Sequence, residues 1–325
     1  MKFVIIGAGL IGHKRATAVL ALGHAVILVC DINAARADSL AKRVGCKAST
    51  DWRQALSSDA DAVIIAVTHD LLAEMTLACV NAGKHVLVEK PAGRRAIEVA
   101  SVAKAAHEKS RIVKVGYNHR FHPSILKAHD IFASGALGPL MYIRGRYGHG
   151  GRVGYEKEWR CNPEVSGGGE LIDQGSHLID LSRWFLGDLK LSFAATPTYF
   201  WNIPVDDNCF LALQAAGGQL AWLHATWTEW KNMFALEISG REGKLTIEGL
   251  GGSYGLERLT YHKMLPTMGP PETSIWEYPF PDTSWDKEME EFIAALEQGR
   301  QPIGNIDDAL AVLTIVDAAY GRSAS

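Results

Sequence analysis

The chain has 325 residues, of which 47% are hydrophobic and 21% charged, and its formal net charge is −3. This composition excludes a disordered chain, a collagen-like repeat and a minimal disulfide scaffold, because there is ample apolar surface to bury. The 33 basic and 36 acidic residues nearly balance, so no overall charge favours nucleic acid or an anionic membrane as a partner. At this length, two domains are expected rather than one core.

The cysteines and the first residues point to a cytoplasmic protein. The five cysteines are Cys30, Cys46, Cys79, Cys161 and Cys209. Their odd number and wide spacing fit buried thiols in a reducing compartment and no zinc site. The first apolar strand starts at Phe3, which leaves no room for a secretion signal. The longest uncharged run, 209–228, contains Gly217-Gly218 and is predicted to be a hairpin rather than a membrane span.

The first part of the chain alternates apolar strands with helices. The predicted strands are KFVIIG, AVILVCD, AVIIAV, HVLVEK and IVKVGY, and the predicted helices cover 10–22, 34–44, 71–82 and 94–109. Continuous apolar strands joined by crossover helices indicate a parallel sheet covered on both faces. We therefore expect an α/β fold with a doubly wound Rossmann domain over residues 1–118.

The pattern changes after Tyr117. A helix over 123–134 is followed by alternating, aromatic-rich strands, among them PLMYIRGRYG, LKLSFAATPTYF, QLAWLHATWTEW and FALEISG-REG-KLTIEG. This pattern predicts a mostly antiparallel open sheet with one polar face. A helix is expected over 169–185, a surface excursion over 265–281, and two closing helices over 285–297 and 307–319. Residues 119–325 are thus predicted to form a second, α+β domain, whose last helices can pack on the first domain.

A glycine-rich loop joins the first strand to the first helix. Its sequence is Gly7-Ala-Gly9-Leu10-Ile11-Gly12, the context that a dinucleotide-binding fingerprint requires. Asp31 ends the second strand, where a carboxylate can accept the ribose hydroxyls and repel a 2′-phosphate. The loop therefore predicts binding of NAD rather than NADP. Two readings oppose this preference: Asp31 could instead cap the next helix, and Arg36 could hold a 2′-phosphate.

Two further motifs carry candidate catalytic groups. Glu89-Lys90-Pro91 follows the strand HVLVEK, where Lys90 can stabilise a developing alkoxide and Pro91 can form a cis bond. The alternative for this tripeptide is a salt bridge at the end of a strand. In the glycine-led segment 167–177, Asp173 and His177 are four residues apart, so a helix would orient the imidazole with the carboxylate. The alternative is that Asp173 and His177 form a structural pair. A metal site is not expected, because the sequence has no third ligand at a suitable spacing.

Taken in this order, these motifs resemble those of the Gfo/Idh/MocA family of NAD(P)-dependent oxidoreductases. The turn ISG-xx-G-x-L-x-I over 238–247 adds to the resemblance, which covers essentially the whole chain. The resemblance implies hydride exchange with a sugar, inositol or related secondary alcohol, and dimers or tetramers formed through the second sheet. It also implies Lys90, Asp173 and His177 as the catalytic trio. Cofactor contacts are expected at Gly7, Gly9, Leu10, Ile11, Gly12, Asp31, Thr68, Glu89 and Lys90. The chain departs from the family after AVIIAV, where it retains Thr68 but lacks the usual Pro and later His, which puts contacts of that loop in doubt.

The segment 144–160 suggests an anionic substrate. Its basic residues alternate with glycines and aromatics, so Arg152 and Arg160 could hold a phosphate or carboxylate while Tyr155 or Trp159 stacks on a sugar ring. The alternative is an edge strand and loop with solvated charges. Further substrate contacts are expected at Asn118, His119 and Arg120, in addition to Lys90, Asp173 and His177.

The leading functional prediction is NAD-dependent oxidation of an anionic or nucleotide-activated sugar, for example at position 3 of a UDP-sugar. Three alternatives stay open: a dehydrogenase of inositol or free sugars, or the reverse reduction of a keto sugar; an NAD-dependent glycosidase; and a non-catalytic nucleotide-sensing regulator. Whether His177 or Lys90 is the base is also open.

Overall fold

The computed structural model describes residues 1–267 and 269–322. Their contacts divide the chain into two compact units. The first comprises residues 1–117 and 285–311, and the second comprises residues 118–284 and 312–322. Among the residues described, no helix is both long enough and apolar enough to cross a bilayer.

The first unit contains a six-stranded parallel sheet flanked by helices. Its strands are β1 (Lys2–Ile6), β2 (Ala25–Cys30), β3 (Lys47–Ser49), β4 (Ala62–Ile65), β5 (His85–Val88) and β6 (Val113–Val115), in the order β3-β2-β1-β4-β5-β6. The connecting helices are α1 (Leu10–Ala21), α2 (Ala34–Val44), α3 (His69–Asn81) and α4 (Ala96–Glu108). This order is that of a dinucleotide-binding Rossmann sheet. The predicted doubly wound fold is confirmed, with α3 beginning two residues before its predicted start.

The second unit is built on an eight-stranded sheet. Its elements are α5 (Pro123–Ala133), β7 (Leu140–Gly148), α6 (Pro163–Ser166), α7 (Ser176–Leu186), β8 (Leu189–Ala195), β9 (Asn208–Ala215), β10 (Leu220–Thr226), β11 (Met233–Gly240), β12 (Gly243–Glu248), β13 (Glu257–Lys263) and β14 (Glu272–Tyr278). The strand order is β14-β13-β12-β11-β7-β10-β9-β8. β7 and β10 pair in parallel and the other neighbours pair antiparallel, so the predicted mostly antiparallel sheet is confirmed. So is the hairpin through Gly217-Gly218, which joins β9 to β10.

One local prediction in this unit is wrong. The excursion predicted over 265–281 contains β14, which pairs with β13 at the edge of the sheet. Prolines on either side of β14 concealed its short strand pattern. The helix predicted over 169–185 is present over 170–186, but its Leu171–Gly175 portion is π-helical and regular α7 starts at Ser176.

The last two helices are α8 (Ser284–Gln298) and α9 (Ile306–Ala319). From α8, Met289 and Phe292 pack in the core of the first unit with β-strand residues such as Phe3 and Ile5. α9 spans the division, since its residues up to Ala311 belong to the first unit and those from Val312 to the second.

α8 also brings a carboxylate into a buried ionic network. Glu288 lies 2.5 Å from Nη1 of Arg15 and 3.4 Å from Nζ of Lys114, and all three side chains are fully buried. Arg15 also donates from Nε to Glu89 at 2.8 Å. Charges that are buried this deeply are tolerated only when they are paired.

Removal of one partner of this network should therefore be costly. Glu288→Ala leaves the cations of Arg15 and Lys114 buried with less compensation and should lower the free energy of unfolding by about 3–5 kcal/mol, measured by urea denaturation. Glu290→Ala, on the exposed side of the same helix, is the control and should change it by less than about 0.5 kcal/mol. Equal effects of the two variants would contradict this account of the network.

Candidate active site

The glycine loop of the first unit has the geometry of a phosphate-binding turn. Gly7 has φ +99°, and a Cβ added there would lie 2.1 Å from the carbonyl oxygen of Ala66. A Cβ on Gly12 would lie 1.9 Å from the carbonyl oxygen of Gly7, whereas one on Gly9 would meet open space. α1 starts directly after Gly9, with Leu10 and Ile11 in its first turn. The loop therefore directs the amino terminus of a helix at an open space that a pyrophosphate can use.

Asp31 supports this loop. One carboxylate oxygen accepts a hydrogen bond from the backbone N–H of Ala8 at 2.7 Å, and the other accepts from the N–H of Asn33 at 2.8 Å. The cap of α2 is the side chain of Asn33, which accepts from the N–H of Arg36, so Asp31 is not the helix cap considered as its alternative. Each carboxylate oxygen retains acceptor capacity for a ribose hydroxyl.

The other candidates of the first unit lie at strand ends. Thr68 directly precedes α3, at the carboxyl end of β4. Glu89 and Lys90 follow β5, and the Lys90–Pro91 peptide bond is cis. The Glu89 carboxylate is bonded to Arg15, which corresponds to the salt bridge considered as the alternative for this tripeptide. The carboxyl ends of parallel strands are where ligands of such sheets bind.

In the second unit, a buried carboxylate binds the backbone of the glycine run 167–169. Asp206 accepts hydrogen bonds from the N–H of Gly169 at 2.9 Å, the N–H of Leu171 at 2.8 Å and the hydroxyl of Tyr320 at 2.6 Å. A Cβ on Gly169 would lie 1.9 Å from the carbonyl oxygen of Asp206. Glycine is thus required there for this close approach, and Asp206 satisfies the amides that open the segment carrying Asp173 and His177.

Asp173 and His177 are both buried in this segment. The Asp173 carboxylate accepts from Nε of Arg160 at 3.0 Å. The His177 ring stacks on the ring of His119, with centroids 3.7 Å apart and an angle of 17° between the planes. Because Asp173 lies in the π-helical turn and His177 in α7, the regular helical spacing assumed from sequence does not apply between them.

The two arginines of the segment 144–160 that were predicted to hold an anion are paired with carboxylates of the same chain. Arg152 is bonded to Glu158, and Nη1 of Arg160 lies 3.5 Å from the same carboxylate. The negative charge of Asp173, and the hydrogen bond that Arg160 donates to it, raise the pKa of Arg160. Both arginines predicted to hold an anionic substrate are therefore already paired with carboxylates of the chain.

The two predicted stacking aromatics of this loop differ in exposure. Tyr155 is buried with Cys161, Val205 and Trp227, and burial raises its pKa. Its ring offers no face to a ligand, so the expected sugar stacking at Tyr155 is not what the structure provides; alternation with charged neighbours concealed a core residue. Trp159 is partly exposed, with the Arg160 guanidinium 4.7 Å from its ring centroid.

The triplet Asn118, His119 and Arg120 is buried, as Asp173 and His177 are. Arg120 donates from Nε to Asp180 at 2.8 Å and lies over the ring of Trp184. His119 contacts His177 directly, and Asn118 lies beside His119. The structure thus brings His119 together with the candidate base and assigns Arg120 to a buried ion pair.

Several residues at this site were missed from sequence. Tyr320 and Asp206 are separated by 114 residues, and the sequence carries no signal for their contact. The consecutive acids Asp206 and Asp207, just before the apolar strand β9, were the available hint, since buried carboxylates there must accept hydrogen bonds. Within the described residues, no three histidine, cysteine or acidic side chains gather as a metal site would require.

Fold and loop together define a nucleotide-binding oxidoreductase. The model of the oxidoreductase family with an NAD-binding Rossmann fold matches residues 1–117, and that of the GFO/IDH/MocA C-terminal domain matches residues 125–246. The chain belongs to the Gfo/Idh/MocA family, as the motifs indicated, and its first unit is an NAD-binding Rossmann domain.

Similar proteins include sugar and polyol dehydrogenases. An inositol 2-dehydrogenase of Rhizobium meliloti is 26% identical over 98% of this chain and 96% of its own length. A levoglucosan dehydrogenase of Pseudarthrobacter phenanthrenivorans is 27% identical over 68% of this chain and 64% of that protein. The solved structure of a levoglucosan dehydrogenase in complex with NADH and levoglucosan has a TM-score of 0.86 at 22% identity, covering 99% of this chain and 98% of that one. This last likeness shows the fold.

The hydrogen bonds of the Tyr320 hydroxyl with Gly169 and Asp206 can be tested directly. Tyr320→Phe removes a hydroxyl that donates to the buried Asp206 carboxylate and accepts from Gly169. It should lower the free energy of unfolding by about 1–3 kcal/mol, measured by urea denaturation. Tyr199→Phe, on an exposed ring, is the matched control and should be neutral. No difference between the two variants would mean that the hydroxyl does not stabilise the loop.

Proposed function

We propose that this chain oxidises a secondary hydroxyl of a neutral sugar or polyol with NAD as the acceptor. The observation that carries this choice is the pairing of Arg152 with Glu158 and of Arg160 with Glu158 and Asp173. A nucleotide-activated or otherwise anionic sugar would have to compete with these carboxylates for the two guanidinium groups. The names of two relatives, an inositol and a levoglucosan dehydrogenase, support an uncharged substrate.

The first unit suits NAD. The open space over Gly9, the amino terminus of α1 and the Asp31 carboxylate provide a phosphate site and a ribose acceptor. The remaining cofactor contacts proposed are Leu10, Ile11, Thr68, Glu89 and Lys90. Asp31 favours NAD because a carboxylate beside the 2′-position repels the phosphate of NADP. When bound, NAD supplies the acceptor for the hydride.

The proposed chemistry uses Lys90, Asp173 and His177. As the substrate C–H electron pair leaves as hydride, the hydroxyl proton must be removed, and we assign that proton to an imidazole nitrogen of His177. Asp173, held by Arg160, is proposed to orient His177 and to contact the substrate. Lys90 is proposed to donate a hydrogen bond to the substrate oxygen and so stabilise the developing alkoxide. An exchange of roles between Lys90 and His177 is the alternative.

A substrate panel tests this proposal. Reduction of NAD, and separately of NADP, is followed at 340 nm over inositols, free hexoses, anhydrosugars, uronates and UDP-sugars. We expect activity with NAD on neutral compounds, and little change in Arg152→Glu. Activity confined to UDP-sugars or uronates, lost in Arg152→Glu, would overturn the neutral-substrate proposal. Bond cleavage of glycosides without net NADH would favour a glycosidase, and NADH binding without turnover would favour a regulator.

The role of His177 gives a second prediction. His177→Ala removes the proposed base and should lower kcat by about 100-fold or more, while the Kd for NADH, measured by fluorescence titration, stays unchanged. His262→Ala, at a partly exposed position of β13, is the control. Near-normal turnover of the His177 variant would remove His177 from the mechanism.

We also propose that the chain forms a homodimer or homotetramer through the outer face of the second sheet. Trp222 and Phe193 are about half exposed there and lie parallel, with ring centroids 6.3 Å apart. Leu220 and Tyr142, which pair across neighbouring strands on this face, are also exposed. Apolar groups exposed in such a group are typical of an interface between subunits.

A further inference from the structure

Two buried histidines of the second unit lie face to face. The rings of His119 and His177 have centroids 3.7 Å apart and planes 17° apart, and both side chains are buried. The mechanism proposed above uses His177 but gives His119 no part. Because His177 would gain a positive charge on taking a proton, the charge state of the ring stacked on it matters.

A directional chain of hydrogen bonds ends at Nδ1 of His119. The Ser284 hydroxyl donates to the Asp282 carboxylate at 2.6 Å, so its oxygen is left to accept from Nδ2 of Asn118, at 2.9 Å. The amide oxygen of Asn118 then faces Nδ1 of His119 at 3.2 Å. Since an amide oxygen only accepts, Nδ1 must carry the proton of the His119 ring.

A second chain reaches the other ring nitrogen. Nε2 of His119 lies 3.1 Å from the hydroxyl of Tyr147, which shares a hydrogen bond with the hydroxyl of Tyr254. Tyr254 in turn accepts from Nε2 of Gln174 at 3.3 Å. Burial raises the pKa of Tyr147 well above its usual value, so this hydroxyl keeps its single proton, which goes either to Nε2 of His119 or to the hydroxyl of Tyr254.

We propose that His119 is held as the neutral Nδ1–H tautomer by these two chains and is a positioning residue for His177. Its uncharged ring fixes the plane of the His177 imidazole and leaves room for the single positive charge that His177 gains from the substrate hydroxyl. A charged His119 would place a second cation on the same stack and oppose that proton transfer. This inference rests on the proposed function for its catalytic part, whereas its tautomer part requires that Tyr254 donate to Tyr147 and Tyr147 donate to Nε2 of His119.

The tautomer can be observed without any substrate. In protein labelled with ¹⁵N in the histidine rings, His119→Gln identifies the His119 signals by their loss. We expect a protonated Nδ1 and an unprotonated, hydrogen-bonded Nε2 at neutral pH, and a shift of the Nε2 signal in Tyr147→Phe. A His119 ring protonated at Nε2, or at both nitrogens, would overturn the proposal.

Kinetics test the positioning role. His119→Ala removes the stacked ring and should lower kcat by about 100-fold, as expected for a misplaced reacting group, with KM for NAD little changed. His119→Phe retains an uncharged ring and should recover most of that loss, whereas His119→Lys should not. The control Tyr261→Phe removes a hydroxyl that donates to the carbonyl of Ala136 in the same unit and should have normal kcat.

The possible outcomes separate the two proposals. If His119→Phe is as slow as His119→Ala while both remain folded by thermal unfolding, or if all His119 variants turn over normally, the positioning role is overturned. If the wild-type chain oxidises nothing in the panel, the proposed function fails, and the catalytic part of this inference with it. The NMR result on the tautomer stands apart from both.

Discussion

The geometry of the second unit depends on one buried carboxylate, Asp206. Its two oxygens accept from Gly169, Leu171 and Tyr320, and its own carbonyl accepts from the N–H of Glu170 at 2.9 Å. The first amides of a helical segment have no partner within it, and burying them without one would be costly. Asp206 supplies those partners, so the segment can start inside the protein rather than at its surface and carry Asp173 and His177 in buried positions.

The charged side chains of the segment 144–160 also need partners. An arginine near a buried carboxylate is stable only if their pairing offsets the loss of hydration. Arg160 does this for Asp173, and Glu158 then balances both Arg160 and Arg152. The segment 144–160 looks basic in sequence, but in the folded chain the charges of Arg152 and Arg160 are balanced by carboxylates. Counting charges along the chain could not reveal the pair of Arg160 with Asp173, because these residues lie 13 positions apart and meet only on folding.

Sequence predicted the parts of the fold that are governed by local rules. The glycine loop, the parallel strands and the hairpin at Gly217-Gly218 each have a periodicity or a turn composition that requires little tertiary information. The π-helical turn at Leu171–Gly175 and the edge strand β14 were missed, because neither changes the apolar pattern enough to be recognised. In the first case Asp206 and Tyr320, both remote in sequence, bond to the residues at the start of the segment.

Candidate site residues were predictable by type and less so by role. Lys90, Asp173 and His177 were picked out as groups that can move protons, which a sequence displays directly. His119 and Arg120 are adjacent and both polar, and nothing in the sequence separates them. In the structure one stacks on His177 and the other pairs with the buried Asp180. Burial and the identity of the partner make this difference, and both are properties of the folded chain.

The two hydrogen-bonded chains that meet at His119 couple distant parts of the second unit to the proposed base. One starts at Asp282, next to the beginning of α8, and the other ends at Gln174, the neighbour of Asp173. Each donor in such a chain fixes the orientation of the next, so loss of one hydroxyl disturbs the ring on which His177 rests without touching His177. In the proposed arrangement, stacking on an uncharged His119 ring lets the buried His177 imidazole gain a proton without a second cation beside it.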